Sequence, residues 1–251
     1  MKKQIVGTVL LLLFINLNLS WAQAPEKSVH SREQLWLGAF NQTRFSERWG
    51  LWLDIHYRMS DHFLDRRFQF LFRPALTYYI HDHLRINLGY ALVQHFPAKG
   101  VHEVRTEHRP WQQISWNQKF PKLSTLQWIR LEQRFNERMD PDTRDRYNYN
   151  FRVRYNMAFL IPLKGKDMRP KTPFAAIMNE VFLNFGDRIV FNTFDQNRFF
   201  AGLGYPFTSH TNVQFGYMHI YQQEASGDNY LATHTLRLSF AHALDLRNEE
   251  K

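Results

Sequence analysis

Residues 146–161 decide the fold, and they read RYNYNFRVRYNMAFLI. Every odd-numbered position of this stretch is apolar or aromatic, whereas the even-numbered positions from 146 to 156 are all Arg or Asn. A period of two places alternate side chains on opposite faces of a β-strand. A helix would scatter the same aromatic residues around its circumference. The stretch therefore predicts a strand with one apolar face and one polar face.

The same alternation recurs along most of the chain. It is clear in residues 49–58, 67–80, 84–92, 198–207, 212–221 and 235–240, and weaker in 34–41, 103–119, 125–136 and 174–185. Several segments sustain the pattern for 12 to 16 residues, whereas strands of globular proteins usually have about 5–6 residues. Such lengths suit a tilted strand that crosses a membrane, which needs about 9–11 residues. Short and longer polar connections largely alternate, as they do in outer-membrane barrels.

The composition agrees with a barrel that has a polar interior. The 251 residues are 44% hydrophobic and 16% aromatic, yet their mean hydropathy is −0.50. A barrel with a polar lumen explains both values, because only one face of each strand has to be apolar. The aromatic content excludes a disordered chain. The absence of Cys excludes disulfides, thiolate zinc sites and a cysteine nucleophile.

The first 22 residues have the three parts of a secretory signal peptide. Lys2 and Lys3 precede an apolar run over residues 5–19, and Ser20-Trp21-Ala22 provides a small-x-small cleavage site. The run is shorter than the roughly 20 residues that a membrane anchor needs. We therefore predict export, cleavage after Ala22 and a single barrel domain over residues 23–251, located in the bacterial outer membrane.

The predicted fold is an all-β, antiparallel, up-and-down transmembrane β-barrel. The alternating segments number eleven, but single-chain bacterial barrels usually have an even number of strands. We therefore predict 12 strands, with 10 as the second choice. An exported soluble barrel or sandwich would show the same alternation, although the long strands and the many Phe and Tyr residues favour the membrane.

An ordered set of short motifs resembles a known family. The motifs are Gln34-Leu35-Trp36, Arg48-Trp49-Gly50-Leu51-Trp52, Arg73-Pro74, Leu88-Gly89-Tyr90, Leu131-Glu132-Gln133-Arg134-Phe135, Arg152-Val153-Arg154-Tyr155, Asn179-Glu180, Asn197-Arg198, Gly216-Tyr217 and His234-Thr235-Leu236. Together they resemble the uncharacterised outer-membrane barrel family known as domain-of-unknown-function family 2490. The resemblance implies a barrel exported in a Gram-negative bacterium, and it brings no established activity or site residues.

Arginine dominates the polar faces of the predicted strands. The lumen-lining candidates are Arg73, Arg85, Arg130, Glu132, Arg134, Arg152, Arg154, Glu180, Arg198 and Arg237. Arginine is permanently charged and its planar fork fits carboxylates and phosphates, so an open lumen would favour anionic solutes. In a narrow barrel the same side chains could instead form an ion-pair network that fills the interior. Both interpretations stay open at this point.

Three functional hypotheses follow. The first is a passive, porin-like pore or uptake channel for small, anionic solutes. The second is a lipid-modifying hydrolase with a Ser–His pair in the barrel wall, for example His108 with Ser115. The third is a closed structural or assembly barrel with a plugged lumen. Neither a Gly-x-Ser-x-Gly nor a His-Glu-x-x-His motif occurs, so we assign no catalytic residue, metal or cofactor.

The expected partners follow from the predicted location. They are outer-membrane lipid, lipopolysaccharide and, during insertion, the barrel-assembly machinery. An exported chain does not normally meet nucleic acid, so the net charge of +9 does not indicate nucleic-acid binding. The sequence leaves the oligomeric state open.

Overall fold

The computed structural model describes residues 27–98, 100, 102–138 and 146–247, and the predicted signal peptide lies outside them. The described residues form eleven strands: β1 (Ser28–Arg44), β2 (Trp49–Ser60), β3 (Arg66–His81), β4 (Leu84–His95), β5 (Arg105–Phe120), β6 (Leu123–Glu137), β7 (Tyr147–Pro162), β8 (Phe174–Phe185), β9 (Phe194–Pro206), β10 (Thr211–Gln223) and β11 (Asn229–Asp245). Within the described part of the chain, no helix is long and apolar enough to cross a membrane.

The strands form one closed barrel in which each strand pairs with its neighbours in sequence. All these consecutive pairs are antiparallel, but β1 and β11 close the ring as a parallel pair from Ser28 beside Asn229 to Arg44 beside Asp245. The predicted all-β barrel is therefore confirmed, whereas the predicted strand numbers of 12 and 10 are wrong. An odd number of up-and-down strands leaves the first and last strands running in the same direction, so only a parallel pair can close the barrel.

The period-two alternation separates the two faces of the wall. Large apolar side chains such as Leu88 and Leu203, each 60% exposed, point outward, whereas Asp54, Glu132 and Arg152 are buried on the inside. Residues 147–161 of the alternating stretch 146–161 lie in β7. Its Arg152, Arg154 and Asn156 point inward. Most charged side chains of the described strands therefore lie on the inner face, and the outer face is largely apolar.

A β-bulge breaks the alternation in β3. The pairing of β2 with β3 shifts between Arg58 and Met59, which leaves Phe68 without a partner in register. As a result Phe68 lines the interior, with Arg32 Cζ at 4.8 Å from its ring centroid. Strict alternation over residues 67–80 would place Phe68 on the outward face with Phe70 and Phe72. A bulge reverses the face of a side chain in this way because it adds one residue to one strand.

Glycine on the inner face lets an aromatic ring lie flat against the wall. A Cβ atom at Gly89 would be 2.5 Å from the indole of Trp111, which is closer than any side chain could tolerate. Trp111 on β5 is 1% exposed and belongs to one buried cluster with Ala91 on β4 and Ala75 on β3. Small residues of this kind keep a large ring from projecting into the lumen.

The parallel closure can be tested with engineered cysteine pairs, since the chain has no cysteine of its own. We expect Leu35→Cys with Leu236→Cys, and Thr43→Cys with Leu244→Cys, to form disulfides on oxidation, because each pair is in register across the β1–β11 seam. Mass spectrometry of alkylated thiols measures the yield. The matched control combines Leu35→Cys with Leu244→Cys, which the parallel register separates by roughly 26 Å. An antiparallel closure centred at the same place would reverse this result, with only the control pair oxidising.

Candidate functional site

A cavity of about 850 Å³ occupies the inside of the barrel. Side chains from all eleven strands line it, from Arg32 and His95 near the end with the β4–β5 connection to Arg85 and Ala241 near the end with the β3–β4 turn. Among the described residues, twelve arginines and five acidic residues line this cavity. The lumen is therefore strongly cationic, with counter-ions for only part of its arginines.

The structure brings the sequence-predicted lumen residues together. Nine of the ten line the cavity: Arg73, Arg85, Arg130, Arg134, Arg152, Arg154, Glu180, Arg198 and Arg237. The tenth, Glu132, is 1% exposed and lies in the same wall, where it is covered by the arginines that it binds.

A chain of ion pairs crosses four neighbouring strands, from β6 to β9. Glu132 accepts hydrogen bonds from Arg152 Nη2 and Arg154 Nη1, both at 2.6 Å. Arg154 Nη2 also donates to Glu180 at 2.5 Å, and Arg152 Nη1 donates to Asp195 at 2.9 Å. Each arginine therefore bridges two carboxylates, and we call these five residues the ion-pair chain. Bidentate arginine contacts of this kind are among the stronger polar interactions in proteins.

Two further carboxylates anchor arginines on the wall formed by β2 to β6. Asp54 accepts from Nε and Nη2 of Arg73, the shortest contact being 2.6 Å. Glu107 accepts from Arg109 Nε and Arg134 Nε, both at 2.6 Å. Both carboxylates are fully buried. Each therefore depends on its arginine partners, since an unpaired buried charge is very costly.

Sequence reasoning missed several charged residues of this lumen. Glu107 and Arg109 lie in the weakly patterned segment 103–119, and Asp195 precedes the clear alternation of residues 198–207 although it is the second residue of β9. Asp54 lies on the polar face of a clear strand, so its alternation with Arg58 was a signal that could have identified it.

The described lumen residues carry a net excess of five positive charges from arginine over carboxylate. Adding Glu107 and Glu132 to the five lining acids gives seven carboxylates against twelve arginines, within the described residues. Arg58, Arg198 and Arg237 show the imbalance, because none has a described carboxylate oxygen within 4.0 Å. Their contacts are neutral oxygens instead: Gln69 for Arg58, Gln196 for Arg198 and Ser239 for Arg237.

Two carboxylates in the turns bind arginines that are not part of the ion-pair chain. Arg66 Nε donates to Asp61 and Arg44 Nη1 donates to Asp82, each at 2.6 Å. These hydrogen bonds lower the pKa of the Asp61 and Asp82 carboxyl groups. The pairs tie connecting residues to the ends of the strands.

The proposed Ser–His pair does not form. Ser115 faces the interior, where it accepts a hydrogen bond from Gln113 at 2.6 Å, whereas His108 lies on the outer face against Tyr90 and Tyr147. In the described chain, the one Ser–His side-chain hydrogen bond joins the exposed ends of Ser28 and His30. No third residue orients that histidine through a described hydrogen bond, as a nucleophile–base pair requires.

Comparison with known proteins identifies relatives of unknown function. A family model described as a protein of unknown function (DUF2490) matches residues 33–231. An uncharacterised protein of Methylorubrum extorquens is 30% identical over 152 residues, which are 60% of this chain and 62% of that protein. The match thus spans less than two thirds of the relative's length. No solved structure matches the chain.

The ion-pair chain predicts a large stability cost for neutralising its central carboxylate. We expect Glu132→Gln to lower the free energy of unfolding by roughly 3–5 kcal/mol, because it leaves two buried arginines with fewer counter-ions. Urea titration of the purified, folded barrel measures the effect. The matched control is Glu137→Gln, whose carboxylate pairs with the exposed Arg146 and accepts a hydrogen bond from the Thr106 backbone N–H, which the amide oxygen of glutamine can also accept. It should cost less than about 1 kcal/mol. Equal losses for the two variants would contradict the structural role of Glu132.

Proposed function

The chain belongs to the DUF2490 family of proteins of unknown function, as its ordered motifs predicted, and we propose that it is an outer-membrane pore for small anionic solutes. The observation that carries this proposal is the cavity lined by all eleven strands, with arginines in excess of carboxylates. Rings of arginine select anions in pores because they replace part of the solute's hydration with fixed charge.

The outer surface of the barrel supports a membrane location. Exposed apolar residues such as Leu51, Leu88, Ile129 and Phe215 occur on the outside of most strands, and soluble monomers rarely expose so many apolar side chains together. Aromatic pairs lie at the ends, for example Trp49 with Tyr78 at a ring-centroid distance of 5.0 Å. Aromatic residues concentrate at the two membrane interfaces of outer-membrane barrels.

The remaining parts of the proposal follow from this location. The chain is exported, loses residues 1–22 and folds as one barrel over residues 23–251. The barrel-assembly machinery inserts it into the outer membrane, where it contacts lipid and lipopolysaccharide.

The arrangement of the ion pairs favours a pore over a plug. The bonded carboxylates join arginines on the same or adjacent strands in most cases, such as Glu132 with Arg152 and Asp54 with Arg73, so these contacts run along the wall. Flat rings such as Trp111 also stay against the wall, and about 850 Å³ of space is left. A closed structural barrel is the alternative, and absence of conductance would favour it.

A paired substitution tests the membrane location. Leu88 on the outer wall and Leu64 in the β2–β3 loop have similar exposure, 60% and 62%. We expect Leu88→Arg to destabilise the barrel in lipid vesicles by roughly 2–4 kcal/mol, because the charge must enter hydrocarbon. Leu64→Arg should change the free energy of unfolding by less than about 0.5 kcal/mol. If both variants unfold like the unmodified barrel, the outer face is not in contact with lipid.

Ion selectivity tests the pore itself. In planar bilayers we expect channels whose reversal potential in a KCl gradient shows a preference for chloride. Arg85→Glu should lower the chloride-to-potassium permeability ratio by about twofold or more, because Arg85 lines the cavity without a carboxylate partner in the described chain.

The control for this experiment is Arg48→Glu, which makes the same charge change in an exposed turn and should leave the ratio unchanged. A folded barrel without conductance, or one that prefers potassium, would contradict the proposed function.

A further inference from the structure

One side of the lumen is apolar, in contrast to the side that carries the ion pairs. Phe200, Met218, Ile220 and Ala176 belong to a buried cluster on β8, β9 and β10, and Met178 packs against it. These five residues also line the cavity, and we call them the apolar wall. An open pore for inorganic ions has no need of such a surface, because apolar walls raise the cost of moving a hydrated ion.

Three arginines that have no carboxylate partner among the described residues lie around a tryptophan at the edge of the apolar wall. Across the β1–β2 and β1–β11 pairs, Trp36 is in register with Arg58 on one side and Arg237 on the other. Arg58 Cζ lies 3.5 Å from the centroid of the Trp36 ring, and Arg198 Cζ approaches it to 4.9 Å from β9. We call Arg58, Arg198 and Arg237 the arginine triad.

The arginine triad adjoins the apolar wall directly. Arg237 Cζ is 5.0 Å from the ring centroid of Phe200, and its Nη1 contacts the sulfur of Met178 at 3.9 Å. Trp36 itself belongs to the same buried cluster as Phe200. Cationic groups and an apolar surface therefore meet at one place in the cavity.

The charges of the arginine triad are poorly compensated. Arg58 is only 9% exposed, and its Nε has no hydrogen-bond partner among the described residues. Arg198 approaches the same Trp36 ring and repels Arg58, because both groups are cationic. Glu180 attracts Arg198 and Arg237, but its carboxylate is bound by Arg154. Since a buried charge without a partner is costly, a bound anion would stabilise this cluster.

We propose that the arginine triad and the apolar wall together bind an amphipathic monocarboxylate, such as a medium-chain fatty acid. The carboxylate accepts hydrogen bonds from the arginine triad, and the hydrocarbon chain packs on Met178, Phe200 and Met218. A simple hydrophilic anion fits the combined site less well than an amphipathic one, because it leaves the apolar wall without a contact. The inference rests on the proposed function, because the ligand has to enter the lumen.

Binding to the barrel in lipid nanodiscs tests the inference. Isothermal titration calorimetry is run with octanoate, octanol and acetate, and titrations into empty nanodiscs are subtracted to remove partition into lipid. We expect one saturable octanoate site per chain. Octanol, which lacks the charge, and acetate, which lacks the chain, should each bind at least about tenfold more weakly, since each loses one half of the contacts.

Substitutions separate the two halves of the site. Arg237→Gln should weaken octanoate binding by about tenfold and leave octanol binding unchanged, because it removes only a charge-assisted contact. Met218→Ser should weaken the binding of both octanoate and octanol, because it removes part of the apolar wall. The matched lumen control is Arg85→Gln on β4, on the opposite side of the ring from β9, and octanoate affinity should stay within about twofold there. Heat-modifiable gel migration confirms that each variant is folded.

Several outcomes would overturn the inference and leave the pore intact. If octanol bound as tightly as octanoate, the arginine triad would not contribute to binding. If acetate bound as tightly as octanoate, the apolar wall would not contribute. An anion-selective channel without saturable octanoate binding would contradict the site and support the proposed function. A barrel that binds octanoate but does not conduct would support the site and contradict the pore.

Discussion

The parallel pairing of β1 with β11 is the constraint on which the interior of this barrel depends. Ten antiparallel hairpin steps bring the chain once around the ring, and the last strand then meets the first in the same direction. The register at that seam places Arg237 beside Trp36, which has Arg58 on its other side. A slip of one residue would turn every inward side chain of a strand outward. Closure and the composition of the lumen are therefore linked.

The lumen combines two solutions to the problem of buried charge. From β2 to β9, carboxylates such as Glu107 and Glu132 hold several arginines in fixed positions, which gives a rigid cationic wall. Around the seam no carboxylate bonds Arg58 or Arg237 among the described residues, and aromatic rings take that place. Cation–π contacts stabilise a guanidinium without neutralising it. The uncompensated charge is thus concentrated beside an apolar surface rather than spread evenly.

The sequence predicted the local features of the fold well and the global ones poorly. A period of two depends only on neighbouring residues, so it assigned all ten candidates to the inner face, where nine line the cavity and Glu132 is covered by its arginine partners. The predicted number of strands was wrong. An even number is usual in single-chain bacterial barrels, but the number in this chain depends on how its first and last strands pair. The bulge that turns Phe68 inward breaks the alternation at one residue. The partners of Arg152 could not be predicted, since alternation gives no register between strands.

The seam also has a consequence for how the barrel forms. Each antiparallel neighbour can assemble as a hairpin from adjacent segments, but the strands of the seam pair residues about 200 positions apart, such as Ser28 and Asn229. Contacts of such long sequence separation carry the largest loop-closure entropy, so they form after local ones. The ring should accordingly exist first as an open, curved sheet with two unpaired edges. The cluster around Trp36 is then the last part of the interior to form, so the arginine triad reaches its final positions only when the seam has closed.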